Sequence, residues 1–305
     1  MDHRILFMGT PDFAVPSLIK LAENFQVCGV FTQPDRPAGR GRKLAPSAVK
    51  IAAEELGLNI SQPPNINSAA ALDMIRGLNP DLICVAAFGQ ILKPALLELP
   101  QYGCINIHAS LLPRWRGASP INAAILHGDS HSGVSIMKMG PGLDDGPILS
   151  QEAIEILPAE TAGHLSERLA ELGGELLVDT IQPFIKGKIQ PKTQEHTLAT
   201  YAPQLKKSAG ELNFEQDAET LSRTVRAYSP WPGTFTFWEE TRLIIHQARS
   251  VSVSSPGIGV LTIYDSFPAI GTREGILVLD EVQLAGKKRT AGPDFLNGNP
   301  EWVAN

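Results

Sequence analysis

The chain has 305 residues, and 26 Lys and Arg against 32 Asp and Glu give it a formal net charge of −6 at pH 7. Hydrophobic residues at 43% and charged residues at 19% are an ordinary globular composition, which excludes disordered, collagen-like and coiled-coil chains. The length fits about two domains, each large enough to bury a core of its own.

No apolar run approaches the roughly 18–20 residues that a membrane-spanning helix needs. The N-terminal run Ile5, Leu6, Phe7, Met8 is too short for a secretory signal and has no cleavage site, so a cytoplasmic protein without membrane association is expected. That run ends at Gly9 and has the pattern of a buried first strand. Gly9, Thr10, Pro11 and Asp12 then stand where a dinucleotide fold carries its phosphate turn, but the G-x-G-x-x-G spacing is absent and there is no P-loop. This counts against NAD and ATP, and leaves the carboxyl edge of the sheet to another ligand.

Leu18, Leu21 and Ala22 give residues 16–24 helical spacing, and residues 27–31 are a second strand. Ser47 can cap a helix that Gly57 ends. A further helix is expected over 68–78, a continuously apolar central strand over 82–87, and a shorter strand over 104–108. After these come a helix at 120–126, a strand at 133–138 and a long helix at 161–185. Repeated β-α-β units predict an α/β fold, a Rossmann-like, mostly parallel sheet with helices on both faces, over residues 1–189. The Pro-, Lys- and Thr-bearing stretch that follows has the composition of a linker, placed at 190–208. Residues 209–305 change pattern, with one amphipathic helix (218–228) and then short strands at 234–238, 243–248, 259–264 and 275–283. That order suggests a small, OB-like β-barrel.

Cys28, Cys84 and Cys104 each sit inside an apolar stretch without metal-ligand spacing, so all three are expected as small buried residues rather than ligands or disulfide partners. Charge is distributed unevenly. Arg36, Arg40, Arg42, Lys43 and Lys50 stand against Asp35 alone, and Lys186, Lys188, Lys192, Lys206 and Lys207 against Glu195 alone. Two short basic stretches therefore lie in an acidic chain, and a local patch of this kind can meet phosphate. The C-terminal segment is itself acidic on balance, so basic groups used there would have to cluster on one face. Trp231, Phe235, Phe237 and Trp238 either pack a core or form a stacking platform for bases.

The most informative stretch is residues 103–120. Asn106 and His108 are two apart on a strand, so their side chains leave the same face near its carboxyl end. Residues 140–147 form a Gly- and Pro-rich loop that carries Asp144 and Asp145. A carboxylate there can hydrogen-bond His108 and fix its tautomer. An Asn-His-Asp set without a nucleophilic Ser or Cys suits polarising a carbonyl and holding an oxyanion while a substrate supplies the nucleophile.

The run from Asn106 to Pro120, with its Asn-x-His-x-Ser-Leu-Leu-Pro order, closely resembles the signature of the folate-dependent formyltransferases. The resemblance covers nearly the whole chain. Residues 9–18, 33–44, 230–233, 286–289 and 295–298 narrow it to the branch that acts on charged initiator tRNA. The resemblance implies that 10-formyltetrahydrofolate is the donor and methionyl initiator tRNA the acceptor, with no metal and with a monomeric protein in bacterial cytoplasm. It implies catalytic roles for Asn106, His108 and Asp144, the last preferred over Asp145 because the pattern is Asp-x-Gly. By the same matching, Val85, Phe88, Gly89, Gln90, Ser110, Leu111, Leu112 and Pro113 bind the folate. Arg36, Arg40, Arg42 and Lys43 approach the tRNA, with Lys206, Lys207, Lys287, Lys288 and Arg289 as further contacts. Arg114, Trp115 and Arg116 either shape the site wall or contact tRNA. The rival readings are a formyltransferase acting on a small amine and a non-catalytic RNA-binding relative.

Overall fold

The computed structural model describes residues 3–38 and 43–303. The chain divides into two compact units, one comprising Met1–Pro120, His131–Glu155 and Ser166–Ala202, the other Ile121–Ser130, Ile156–Leu165 and Pro203–Asn305.

The first unit opens with β1 (Arg4–Gly9), α1 (Val15–Asn24) and β2 (Gln26–Phe31). A short hairpin follows, β3 (Arg36–Ala38) against β4 (Lys43–Ala45), and then α2 (Ala48–Glu55), β5 (Ile60–Ser61) and α3 (Ala69–Leu78). Serine starts two of these helices: Ser47 Oγ accepts from Lys50 N at 3.1 Å and Ser68 Oγ from Ala71 N at 3.3 Å, each satisfying an amide that the helix leaves open. The sequence continues with β6 (Leu82–Ala86), α4 (Pro94–Leu97), β7 (Cys104–His108), β8 (Arg116–Gly117) and α5 (Pro120–Leu126). Then come β9 (His131–Lys138), β10 (Ile148–Glu155) and α6 (Ala162–Ile185).

The seven-stranded sheet runs β10-β9-β7-β6-β1-β2-β5. Strands β5, β2, β1, β6 and β7 pair in parallel, and β9 and β10 are antiparallel. The order reverses between β1 and β6, where a doubly wound sheet opens its ligand crevice. There Thr10 Oγ1 and Gln33 Nε2 both donate to the Phe88 carbonyl, at 2.8 and 3.2 Å.

Two departures from expectation bear on the site. Strand β10 has no counterpart in the sequence reading, because only its first two residues are buried and the rest is half-buried or exposed without alternation. Residues 190–202, expected as linker, belong to the first unit. Lys192 bridges to Ile148, and β11 (Tyr201–Ala202) pairs in parallel with β8.

Cys84 and Cys104 are buried on the neighbouring strands β6 and β7, Cys84 opposite Ile105 and Cys104 opposite Ile83, and Cys28 is partly buried, all as free thiols. Burial pushes the Cys104 thiol up to about 12 and that of Cys84 well above its ordinary value, so little reactive thiolate exists at either. Iodoacetamide on the native chain at pH 8 is expected to spare both and to reach Cys28 alone. Modification of either buried thiol before the unfolding transition would contradict this.

The second unit contains α7 (Ala218–Ala227), capped by Asp217 Oδ1 on Thr220 N at 2.7 Å. It continues with β12 (Thr234–Trp238), β13 (Thr241–Val251), β14 (Leu261–Tyr264), β15 (Phe267–Gly271), β16 (Ile276–Leu284), β17 (Thr290–Ala291) and α8 (Gly292–Gly298). Its antiparallel order is β12-β13-β16-β15-β14, with β17 on β16. Strand β15 was missed because Phe267-Pro-Ala-Ile-Gly looks like a turn, with Pro and Gly at its margins. Trp238, Phe295 and Trp302 pack as three mutual ring contacts of 5.5–5.6 Å in the core of this unit.

Candidate active site

Asn106 and His108 stand on β7 between β6 and β9, with Asn106 opposite Val85 on one side and Met137 on the other. Their neighbours Ile105 and Ile107 turn into the core, so strand alternation sends both polar side chains to the opposite face. Asn106 is half-buried, and among the described residues its amide has no hydrogen-bond partner. His108 is 5% exposed.

The imidazole has two defined neighbours. Nε2 lies 2.9 Å from the Trp115 carbonyl. An oxygen that can only accept requires that nitrogen to carry the proton. Nδ1 faces Asp144 Oδ2 at 3.7 Å, too long for the hydrogen bond expected from sequence. Oδ2 accepts instead from Gly117 N at 2.8 Å. Asp144 thus faces the ring across a short gap without bonding to it. Nδ1 is the ring nitrogen left without a hydrogen bond among the described residues.

Both neighbours sit on left-handed backbone, Trp115 at φ +60° and Asp144 at φ +47°. Such conformations cost on the order of 1–3 kcal/mol each and persist only where the surroundings impose them. For Trp115 the imposing groups come from the end of the first unit: Thr200 Oγ1 accepts from Trp115 N at 2.9 Å and Thr200 O from Arg116 N at 2.9 Å. Gly117, at φ +111°, lies so close to the Ala202 carbonyl that a Cβ would stand 2.7 Å from it. The 140–147 loop is closed at its neck, where Lys138 N donates to Pro147 O at 2.8 Å.

The expected folate stretches form two braced loops. Ser110 Oγ donates to Arg114 O at 2.6 Å. Leu112 is held at both ends of its peptide, its N–H by Ser135 Oγ at 3.1 Å and its carbonyl by Gln151 Nε2 at 2.9 Å. Leu111 and Pro113 are half-buried. In the other loop Val85, Phe88 and Leu92 are buried, while Ala87 and Gly89, both at positive φ, are exposed. The Gln90 amide accepts from Ile66 N at 2.8 Å and donates to Pro63 O at 3.2 Å. Ser110 and Gln90 thus use their polar groups inside the protein, and what these loops turn outward is mainly backbone and small residues.

Of the expected tRNA contacts, Arg36 is exposed on the β3–β4 hairpin, its Nη2 donating to Gln33 Oε1 at 3.1 Å. Arg40 and Arg42 lie outside the described residues, and Lys43 is described for its backbone, opposite Ala38. Gln62 and Lys50 hydrogen-bond Asp35 and hold its carboxyl below the usual range, so the one acid of this stretch is already engaged. In the second unit Lys206, Lys207, Lys287 and Lys288 are exposed, and Arg289 pairs with Glu281. Asp217, Glu219 and Asp280 also pair with arginines, which spends much of that unit's acidity internally. Trp238 and Phe235 are buried, whereas Trp231 and Phe237 are about half exposed, and Arg242 stacks on Phe235 with its guanidinium 3.6 Å from the ring centre.

Sequence reasoning did not find the Trp115 carbonyl, Ser135, Gln151, Gln194 or Thr200. A strand serine with a full-size apolar environment was the only available signal, at Ser135.

A doubly wound sheet with a polar set at one end of β7 and two braced loops at the crevice is an arrangement suited to group transfer. Residues 3–181 match the family described as Formyl transferase, and residues 204–300 match its C-terminal domain. The chain belongs to the formyl transferase family. Its full-length relatives include the methionyl-tRNA formyltransferases of Citrifermentans bemidjiense, 43% identical with 97% of this chain and 93% of that one covered, and of Marinobacter nauticus, 43% identical with 98% and 97% covered. The fold is similar to that of an N-formyltransferase from Helicobacter canadensis solved in complex with folinic acid and dTDP-3-aminofucose. There the TM-score is 0.66 at 18% identity, over 92% of this chain and 99% of that one.

Proposed function

We propose that the chain transfers the formyl group of 10-formyltetrahydrofolate to the α-amine of methionyl initiator tRNA. The observation that carries this reading is that Asn106 and His108 share one face of β7 with Asp144 Oδ2 3.7 Å from His108 Nδ1, in a chain similar over nearly its full length to methionyl-tRNA formyltransferases. It acts as a monomer in bacterial cytoplasm. Residues 1–189 do the chemistry, and residues 209–305 meet the RNA.

The neutral amine attacks the formyl carbon. A C–N bond forms to methionine, and negative charge develops on the formyl oxygen. The Asn106 amide and the Nδ1–H of His108 in its imidazolium form donate to that oxygen, while the Trp115 carbonyl accepts from Nε2–H and fixes the ring. Asp144, 3.7 Å from Nδ1, stabilises positive charge on the imidazole as the oxyanion forms. The bond from the formyl carbon to the folate nitrogen then breaks, and the amine proton passes to that nitrogen through an ordered water. The 87–90 and 110–113 loops take the folate through backbone groups and small surfaces.

Arg36, Arg40, Arg42 and Lys43 contact acceptor-end phosphates, with Lys206, Lys207, Lys287, Lys288 and Arg289 as further basic contacts, so tRNA affinity falls as salt rises. The test is a donor-dependent assay on methionine-charged initiator tRNA, methionine-charged elongator tRNA and small amines. Preference for the initiator supports the proposal; equal formylation of a small amine favours the small-molecule branch, and binding without donor consumption favours a non-catalytic relative. In the same assay Arg42→Ala should raise KM for tRNA about tenfold and leave KM for the donor within twofold, the loss expected of about 1–1.5 kcal/mol of charged contact. Equal losses on both substrates would remove Arg42 from the tRNA side.

A further inference from the structure

Gln194 lies in the stretch whose composition marks it as linker, yet it is 4% exposed, and Arg116 beside it is 2% exposed. Every hydrogen-bonding position of its amide is used. Nε2 donates to the carbonyls of Asp144 and Gly146, both at 2.8 Å. Oε1 accepts from Arg116 Nε at 3.1 Å and from Nη2 at 2.8 Å. A guanidinium has no acceptor, so Arg116 fixes which way round the amide lies and leaves its NH2 group facing the turn. Arg116 Nη1 continues to His196 Nδ1 at 3.3 Å, and among the described residues no carboxylate pairs with this buried cation.

The two carbonyls that Gln194 holds flank Asp145 and belong to the turn that carries Asp144. Asp144 is in the left-handed region, at φ +47°, and its carboxylate direction follows from that backbone. With both carbonyls bound to one amide, the turn cannot rotate without breaking two hydrogen bonds inside the protein, where an unmet donor or acceptor is destabilising. We propose that Gln194, oriented by Arg116, is a positioning residue for formyl transfer. It holds the turn so that Asp144 Oδ2 stays on Gly117 N and 3.7 Å from His108 Nδ1. The proposal rests on Asp144 being the carboxylate that supports His108. The alternative is that Gln194 serves only to solvate the Arg116 charge.

Variants of the full chain separate these, each assayed for kcat, for KM of both substrates and for thermal midpoint. Gln194→Met removes both sets of bonds. Gln194→Glu keeps an acceptor for Arg116 but offers no donor to the two carbonyls. If the turn is what matters, both lower kcat by about 10- to 100-fold, since a misplacement of about 1 Å at a reacting centre costs up to 10². KM for donor and tRNA stays within twofold. In an Asp144→Asn background, adding Gln194→Glu then costs no further kcat, because both act through the same carboxylate. Parental kcat in Gln194→Glu, additive losses in the double variant, or a loss confined to KM would each overturn the proposal. Should Gln194→Met fail to fold, Gln194→Glu and the double variant decide alone. Undiminished kcat in Asp144→Asn by itself would withdraw the role of Asp144, an outcome distinct from failure of Gln194.

Discussion

Asn106→Ala is expected to lower turnover by about 10²–10³ while leaving stability within about 0.5 kcal/mol of the parent. The amide is half-buried and bonds to no described residue, so its removal orphans nothing in the resting protein. Its whole effect falls on the charge that builds on the formyl oxygen, which corresponds to about 3–4 kcal/mol of barrier for one oxyanion donor. His108→Ala should match or exceed that loss in turnover, but it should also destabilise. The Trp115 carbonyl, on a residue that is 6% exposed, loses its donor at 2.9 Å, at a cost of about 1–3 kcal/mol. Single-turnover rates, donor affinity and thermal midpoints measured side by side give the contrast. Parental turnover in Asn106→Ala would end the oxyanion assignment, and loss of donor affinity in His108→Ala would make the histidine a binding group.

The contrast also marks how far the sequence reaches. Where a residue's environment is written in its neighbours, the reading is direct. The apolar run of β6 announces a central strand, Ser47 and Ser68 announce helix starts, and the two-residue step from Asn106 to His108 announces a shared face. What the sequence does not carry is the partner of His108. One partner is a backbone carbonyl, which every residue has and no pattern marks. The other is a carboxylate whose expected hydrogen bond goes to Gly117 N instead, a choice made by the fold of two loops distant in sequence. Gln194 and Thr200 are hidden for a related reason: a Pro-, Lys- and Thr-bearing stretch looks like a tether, and only tertiary contact reveals that it holds both neighbours of the imidazole. Strand β10 is not legible because an edge strand buries one end and wets the other, so neither helical nor strand periodicity stands out.

Gly146→Ala is expected to cost more than 10² in kcat, although the substitution adds one methyl group and touches no proposed catalytic side chain. A Cβ at residue 146 falls onto the Lys138 carbonyl oxygen, and Lys138 is pinned there by its own N–H on Pro147 O at 2.8 Å. Neither backbone can yield without opening the neck of the loop, so the turn must shift, and it takes with it the Asp144 carboxylate and both carbonyls held by Gln194. Overpacking of this kind costs about 1–3 kcal/mol, which lowers the thermal midpoint by about 2–12 °C in a domain this size, so kcat is measured below the variant's own midpoint. The other glycines of the loop provide the control. At Gly142 the added Cβ meets the end of the Asp145 side chain, which can swing away, and at Gly140 the nearest atom is Asp145 Oδ1 at 3.6 Å, an ordinary contact. Gly140→Ala should therefore be near parental and Gly142→Ala intermediate, with kcat falling in that order while KM for both substrates holds. A Gly146→Ala enzyme with parental kcat would mean that Asp144 keeps its function when its turn moves. Charge at a fixed distance from His108 would then not be what the loop provides.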